Sequence, residues 1–233
     1  LIEYTALQPT YKNITSIVLL TLLAYYSWLM LKIIVLYIPL KPDTGFLQLK
    51  QAYLHIDIWR NAFYVHVFTS IFALLTGFTQ FSKKLLTAMP ALHRKLGYSY
   101  VFNILFVTGP AGLIMSLYAN GGLTSRIGFT ILSVLWIYFT GMALYKAVKK
   151  DFGSHEVFMI RSYALTLSAI TLRIWKVVFA EFSQLGPLDR YRVIAWLGWV
   201  LNLLVAEMII RWVIKRKPGQ INALAKIYTS VRL

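Results

Sequence analysis

Six apolar runs decide what this chain can become. They cover about residues 14–38, 61–81, 98–118, 127–145, 156–180 and 193–214. A hydrocarbon layer of ~30 Å takes roughly 20 apolar residues of helix, and each run is close to that length. The expected fold class is all-α: a polytopic membrane protein, a bundle of six transmembrane helices with short loops, forming one domain over residues 1–233. Composition agrees. Of the residues, 58% are hydrophobic and 14% charged, with mean hydropathy +0.64, whereas soluble domains carry about 25% charged residues. The spans leave no room for an extra-membrane domain.

The connections carry their own signals. A polar lead occupies residues 1–13. The chain starts at Leu1 rather than Met, and no cleavable signal pattern is visible, so the first run is expected to stay as an anchor. Lys32 near its far end can snorkel to the interface. Pro39 and Pro42 end that run, and residues 49–59 are expected as an interfacial helix with Tyr53 and Trp59 at headgroup level. Residues 82–96 form a basic loop, Gly109-Pro110 breaks the third run, and Asn120-Gly121-Gly122 makes a tight turn.

Formal charge is +16. With six spans the two termini share one side. That side holds fourteen cations: Lys12, Lys83, Lys84, Arg94, Lys95, Lys146, Lys149, Lys150, Arg211, Lys215, Arg216, Lys217, Lys226 and Arg232. The other side holds six: Lys41, Lys50, Arg60, Arg126, Arg190 and Arg192. The more basic side is the cytoplasmic one, so both termini are expected inside, with anionic lipid headgroups rather than nucleic acid as the partner of these loops. The chain has no cysteine, which excludes disulfides, thiolate metal sites and a cysteine nucleophile.

Depth sorts the polar residues inside the spans. Each helical residue advances 1.5 Å. Arg161 and Glu207 then fall at matching depth in the inner half, and an ion pair between them is expected. His93 and His155 start the third and fifth spans on the inner side, and Gln80 ends the second there. The expected inner cluster is Gln80, His93, His155, Arg161 and Glu207. An outer cluster gathers His66, Arg173 and Lys176, with Asn202 nearer the middle.

Two histidines on neighbouring helices at one face can hold the iron of a b-type haem through its axial positions. His93 and His155 are the candidate ligands, Arg94, Lys95 and Arg161 can neutralise propionates, and Gln80 is a supporting group. The alternative is that the same residues are interhelical glue, in an accessory subunit of a larger membrane complex, a homo-oligomer, or a binder of lipid or quinone. His66 has no second histidine at its depth in the fourth span. No His-Glu-x-x-His zinc pattern, Gly-x-Ser-x-Gly elbow or Gly-rich phosphate loop is present, so enzymatic activity stays open.

The run His66-x-x-x-Ser-Ile-Phe-x-Leu-Leu-x-Gly-Phe-Thr-Gln80-Phe, followed by Leu92-His93-Arg-Lys-Leu-Gly97-x-x-Tyr100, resembles the bacterial membrane family known as domain of unknown function 2306. Gly109-Pro-Ala-Gly-Leu-Ile-Met, Ala119-Asn-Gly-Gly122, Trp136, His155-x-x-x-Met159-Ile-Arg161-Ser-Tyr-Ala-Leu-Thr-Leu, Leu172-Arg173 and Asn202-x-x-x-Ala-Glu207 extend the resemblance over about residues 60 to 210. The wording is close to flavobacterial members. It implies a multi-pass protein of the bacterial inner membrane. A weaker resemblance is to the transmembrane dihaem b-type cytochromes of the ascorbate-reductase kind. Their pattern implies one haem between helices two and four and another between three and five. His93 and His155 fit the second position, and the fourth span departs from the first by lacking histidine.

Overall fold

The computed structural model describes residues 3–216. Leu1, Ile2 and the tail 217–233 lie outside the described residues, and with them the tail cations Lys217, Lys226 and Arg232. Among the described residues every regular element is helical. Contacts divide the chain into two compact units, Leu1–Leu49 and Lys50–Leu233.

The first unit holds α1 (Glu3–Val35). Lys32, in its last turn, lies over the Trp28 ring at 4.6 Å from the centroid, the packing expected of a snorkelling stem. After the helix, the Tyr37 hydroxyl accepts the Phe46 N–H at 3.0 Å. Gly45 closes this turn at φ +55°, where a Cβ would sit 2.9 Å from that hydroxyl. A 3-10 helix, Gly45–Tyr53, leads into the second unit.

The second unit contains α2 (Asp57–Thr79), α3 (Lys83–Ala88), α4 (Pro90–Phe102), a π-helical segment (Asn103–Thr108), α5 (Gly109–Ser116), α6 (Leu123–Val148), α7 (Phe152–Thr166), α8 (Ser168–Phe182) and α9 (Pro187–Arg216). Among the described residues, five helices are long and apolar enough to cross a membrane: Asp57–Thr79, Pro90–Ser116, Leu123–Val148, Phe152–Phe182 and Pro187–Trp212. α1 contributes a shorter apolar helix, Leu20–Val35.

Two local expectations are corrected. Residues 49–59 do not form one interfacial helix. The 3-10 helix ends at Tyr53, Ile56 is extended (φ −87°, ψ 97°), and α2 starts at Asp57, whose carboxylate suits the positive end of a helix. Trp59 is therefore inside α2, 1% exposed and stacked on Phe63 at 5.7 Å. Residues 82–96 are not a loop either. The Ser82 hydroxyl accepts the Leu85 N–H at 3.2 Å and caps α3, and Pro90 at the first turn opens α4. His93 thus stands on a helix.

The third span survives Pro110 by widening. Proline has no N–H and its ring clashes with the preceding turn. Here the Gly109 N–H reaches back five residues to Ile104 O, the π pattern. A Cβ on Gly109 would lie 2.2 Å from that oxygen. The fifth span also bends, at Leu167, between α7 and α8. There the Ile170 N–H bonds Leu167 O, three residues back.

The packing order follows the sequence. α2 packs on α4, the π segment and α5; α5 packs on α6; α6 packs on α7; and α7 returns to α2. This closes a four-span ring. α9 lies against α6, α7 and α8. Gly198 lets α9 approach α8, since a Cβ there would meet the Leu172 side chain at 2.4 Å. The core of the ring is Ala73, Tyr100, Val101, Ile104, Trp136, Ala143, Met159, Tyr163 and Leu165, extended by Trp199 of α9.

Candidate functional site

Side-chain direction around the ring follows from helix period. His93 stands seven residues before Tyr100 on α4, and His155 seven before Ser162 on α7. Seven residues are close to two turns, so each histidine shares a face with its partner. Tyr100 OH and Ser162 Oγ meet at 2.7 Å across the ring. The two histidines therefore face one another about 10 Å nearer the end that carries the basic connections, within electrostatic reach of each other.

Both are held from outside. His155 Nδ1 lies 2.8 Å from Ala143 O on α6. A carbonyl only accepts, so Nδ1 carries the proton and Nε2 keeps its lone pair. His93 is 6% exposed. Gln80 Nε2 donates to the His93 carbonyl at 3.4 Å, and Gly97 makes room for it, since a Cβ there would fall 2.8 Å from Gln80 Oε1. Gln80, His93 and His155 are thus brought together.

Arg161 is not part of that group. It lies six residues after His155, about 240° round the helix, and turns toward α9. There it forms the expected pair with Glu207: Nε to Oε1 at 2.6 Å and Nη2 to Oε2 at 3.0 Å. The guanidinium also rests on the Phe158 and Phe139 rings, 5.5 and 5.8 Å from their centroids. The expected inner cluster divides into a histidine pair inside the ring and an ion pair on its flank. Committed to Glu207, Arg161 is the carboxylate's mate rather than a propionate partner.

In the expected outer cluster, His66 and Arg173 are within electrostatic reach of each other, but each hydrogen-bonds a different carbonyl. His66 Nδ1–H donates to Thr108 O at 2.9 Å, so the histidine binds a carbonyl at the end of the π segment. Gly112 admits the ring, with a Cβ position 3.1 Å from His66 Cε1. Arg173 is exposed and folds back to Ala169 O at 2.5 Å, and Lys176 is exposed. Asn202 sits elsewhere, donating to Ala164 O at 3.0 Å and Thr171 Oγ1 at 3.1 Å. Ala164 is in the last turn of α7, where helix carbonyls lose their intrahelical donors. Asn202 therefore supports the bend at Leu167, helped by the Thr171 hydroxyl donating to Gly198 O at 2.5 Å.

Beneath the histidines lies a network that the ionisable residues did not signal. Tyr100, Trp136, Thr140, Ser162 and Thr166 are all buried. Trp136 Nε1–H donates to Thr166 Oγ1 at 3.0 Å, and Thr166 donates to Ser162 O at 3.1 Å. Thr140 donates to Trp136 O at 2.7 Å and accepts from Ser162 Oγ at 2.7 Å, while Tyr100 OH serves Ser162. Tyr100 OH also lies 3.0 Å from Thr166 Oγ1, and the Thr140 and Thr166 protons end on two backbone carbonyls. A relay must reverse its polarity, and carbonyls cannot return a proton. The network is a fixed floor that ties α4, α6 and α7 together. The sequence trace of it is the Ser162–Thr166 spacing of four on the His155 face.

Lys50, a connection cation by its place in the sequence, is 2% exposed. Its ammonium donates to Tyr118 O and, at 2.6 Å, to Asn120 Oδ1, and lies 5.0 Å from the Tyr53 ring centroid. Burial first, and the charge of Arg126 second, lower its pKa from 10.5 to about 8. Between those values the unfolded chain binds more protons than the folded one, so stability rises with pH across that window. The slope is at most ~1.4 kcal/mol per pH unit. Thermal melting of the purified protein from pH 8 to 10 is expected to show an increase that Lys50→Met removes.

Among the described residues no group of three or more His, Asp or Glu could hold a bare metal ion. The histidine pair supplies two nitrogen donors, a set that fits the axial positions of haem iron. No curated protein and no solved structure matches the chain. The family described as "Predicted membrane protein (DUF2306)" matches residues 63–210, which include His66, Gln80, His93, Tyr100, His155, Arg161 and Glu207. The chain is thus an integral membrane protein, and it belongs to the DUF2306 family.

Proposed function

We propose that this protein is a six-span electron-transfer protein of the bacterial inner membrane, with both termini cytoplasmic and one haem b held between His93 and His155. One observation carries the reading. His155, within electrostatic reach of His93, keeps Nε2 for a ligand because Nδ1–H is fixed on Ala143 O at 2.8 Å. Ligating histidines characteristically anchor their other nitrogen in this way. A haem there supplies one-electron chemistry. The protein's part is to orient: Gln80 fixes the turn that carries His93, the Tyr100 floor closes the site from below, and exposed Arg94 and Lys95 stand at the basic end for propionates. The saturated hydroxyl network favours a second reading, a cofactor-free accessory or lipid- or quinone-binding protein in which these groups only join helices.

Histidine variants distinguish the two. Protein purified from haem-replete cells is expected to carry about one haem per chain. His93→Leu and His155→Leu are expected to lose it, while His66→Leu retains it, because His66 serves Thr108. Equal haem content in all four proteins, or none in any, refutes the haem reading.

A further inference from the structure

Glu207 and Arg161 satisfy each other, but they do so on an outer wall of the bundle. Their side chains are 40% and 24% exposed. Glu207 lies seven residues before Ile214, the last apolar residue of the run, so it is ~10 Å deep. Ionisable groups at such depth almost always face protein or water. Arg161 uses Nε and Nη2 on Glu207, which leaves Nη1 outside the pair. Arg211, one turn beyond Glu207, is also exposed. On the same side of α9, Leu204 and Met208 are 55% and 62% exposed.

We propose that this α9 face is the interface of a homodimer, with the Arg161–Glu207 pairs of two copies meeting across a two-fold axis along the membrane normal. The intramolecular pair fixes Arg161 and Glu207 at one depth. The two-fold then sets each Arg161 level with the other copy's Glu207. A patch carrying both signs is complementary to itself, the condition for an isologous contact. A lipid phosphate fits worse, because the guanidinium edge is taken and the Glu207 carboxylate repels an anion. Polar side chains do hydrogen-bond across helices in membranes. The inference stands independently of any haem.

The absence of cysteine makes the test clean. Met208→Cys is introduced and oxidised in native membranes, with Phe72→Cys on α2, 58% exposed, as the control. A covalent dimer is expected at Met208 and not at Phe72. In an Arg161→Met/Glu207→Leu background that still elutes as folded protein, the Met208 dimer is expected to fall roughly fivefold or more. No dimer above the Phe72 control, an unchanged dimer in the neutral background, or cross-linking to a different protein would each overturn the proposal.

Discussion

Gly77→Val is expected to abolish the native bundle, and Gly77→Ala to weaken it by about 1–3 kcal/mol. Gly77 sits where α2 meets the two tyrosines of the ring. A Cβ there would lie 2.6 Å from Tyr100 Cε2 and 2.7 Å from Tyr163 Cδ2. Neither ring can yield cheaply. Tyr100 is fully buried with its hydroxyl on Ser162 and Thr166, and Tyr163 donates to Leu74 O on α2 itself at 3.2 Å. Moving either ring breaks a hydrogen bond away from water, which adds the cost of an unsatisfied polar group. Valine adds two methyl groups to the same clash. Thermal melting in detergent checks the alanine variant, and the yield of monodisperse protein checks the valine variant. A Gly77→Ala protein that melts with the wild type would mean that the tyrosine layer is loosely packed.

Arg161→Ala is expected to destabilise the protein by about 2–3 kcal/mol, with the Arg161→Met/Glu207→Leu double variant close to wild type. The asymmetry arises from charge. Removing the arginine leaves Glu207 ionised against hydrocarbon, or protonated at a cost, and the aromatic faces of Phe139 and Phe158 lose their cation. Removing both charges removes the problem. The penalty stays below the 3–5 kcal/mol of a fully buried pair because Glu207 is 40% exposed and Arg211 is one turn away. Unfolding of the single and double variants in one detergent gives the coupling directly. Equal losses in both would mean that the side chains matter for packing and not for charge.

That pair was legible in the sequence because ionisable residues are rare in membrane spans and a rise of 1.5 Å per residue fixes their depth. Azimuth separates residues that depth alone groups. Arg161 shares the depth of the inner group but points 240° away from His155, which separates one expected cluster into two. The hydroxyl network was not visible at all. Serine, threonine and tyrosine are ordinary in apolar helices, and only Tyr100 meeting Ser162 across the ring makes them a unit. The bend at Leu167 has no proline or glycine to announce it; it depends on Asn202, 35 residues on in sequence. Trp59 was placed at the interface by residue type, yet Asp57 starts α2 early enough to bury it. Lys50 misled for the same reason: a lysine in a connection reads as solvated until Tyr53, Trp59 and the Asn120 turn close over it. The Gly109-Pro110 break was read correctly as an interruption, and its π form required knowing that Ile104 O could be reached.

The most direct measurement for the central claim is a reduced-minus-oxidised optical spectrum of the purified wild-type protein, with iron quantified in the same sample. The proposed haem between His93 and His155 predicts a low-spin b-type signal, with Soret and alpha bands and iron in proportion to the chain. A folded protein without those bands and without iron would contradict it.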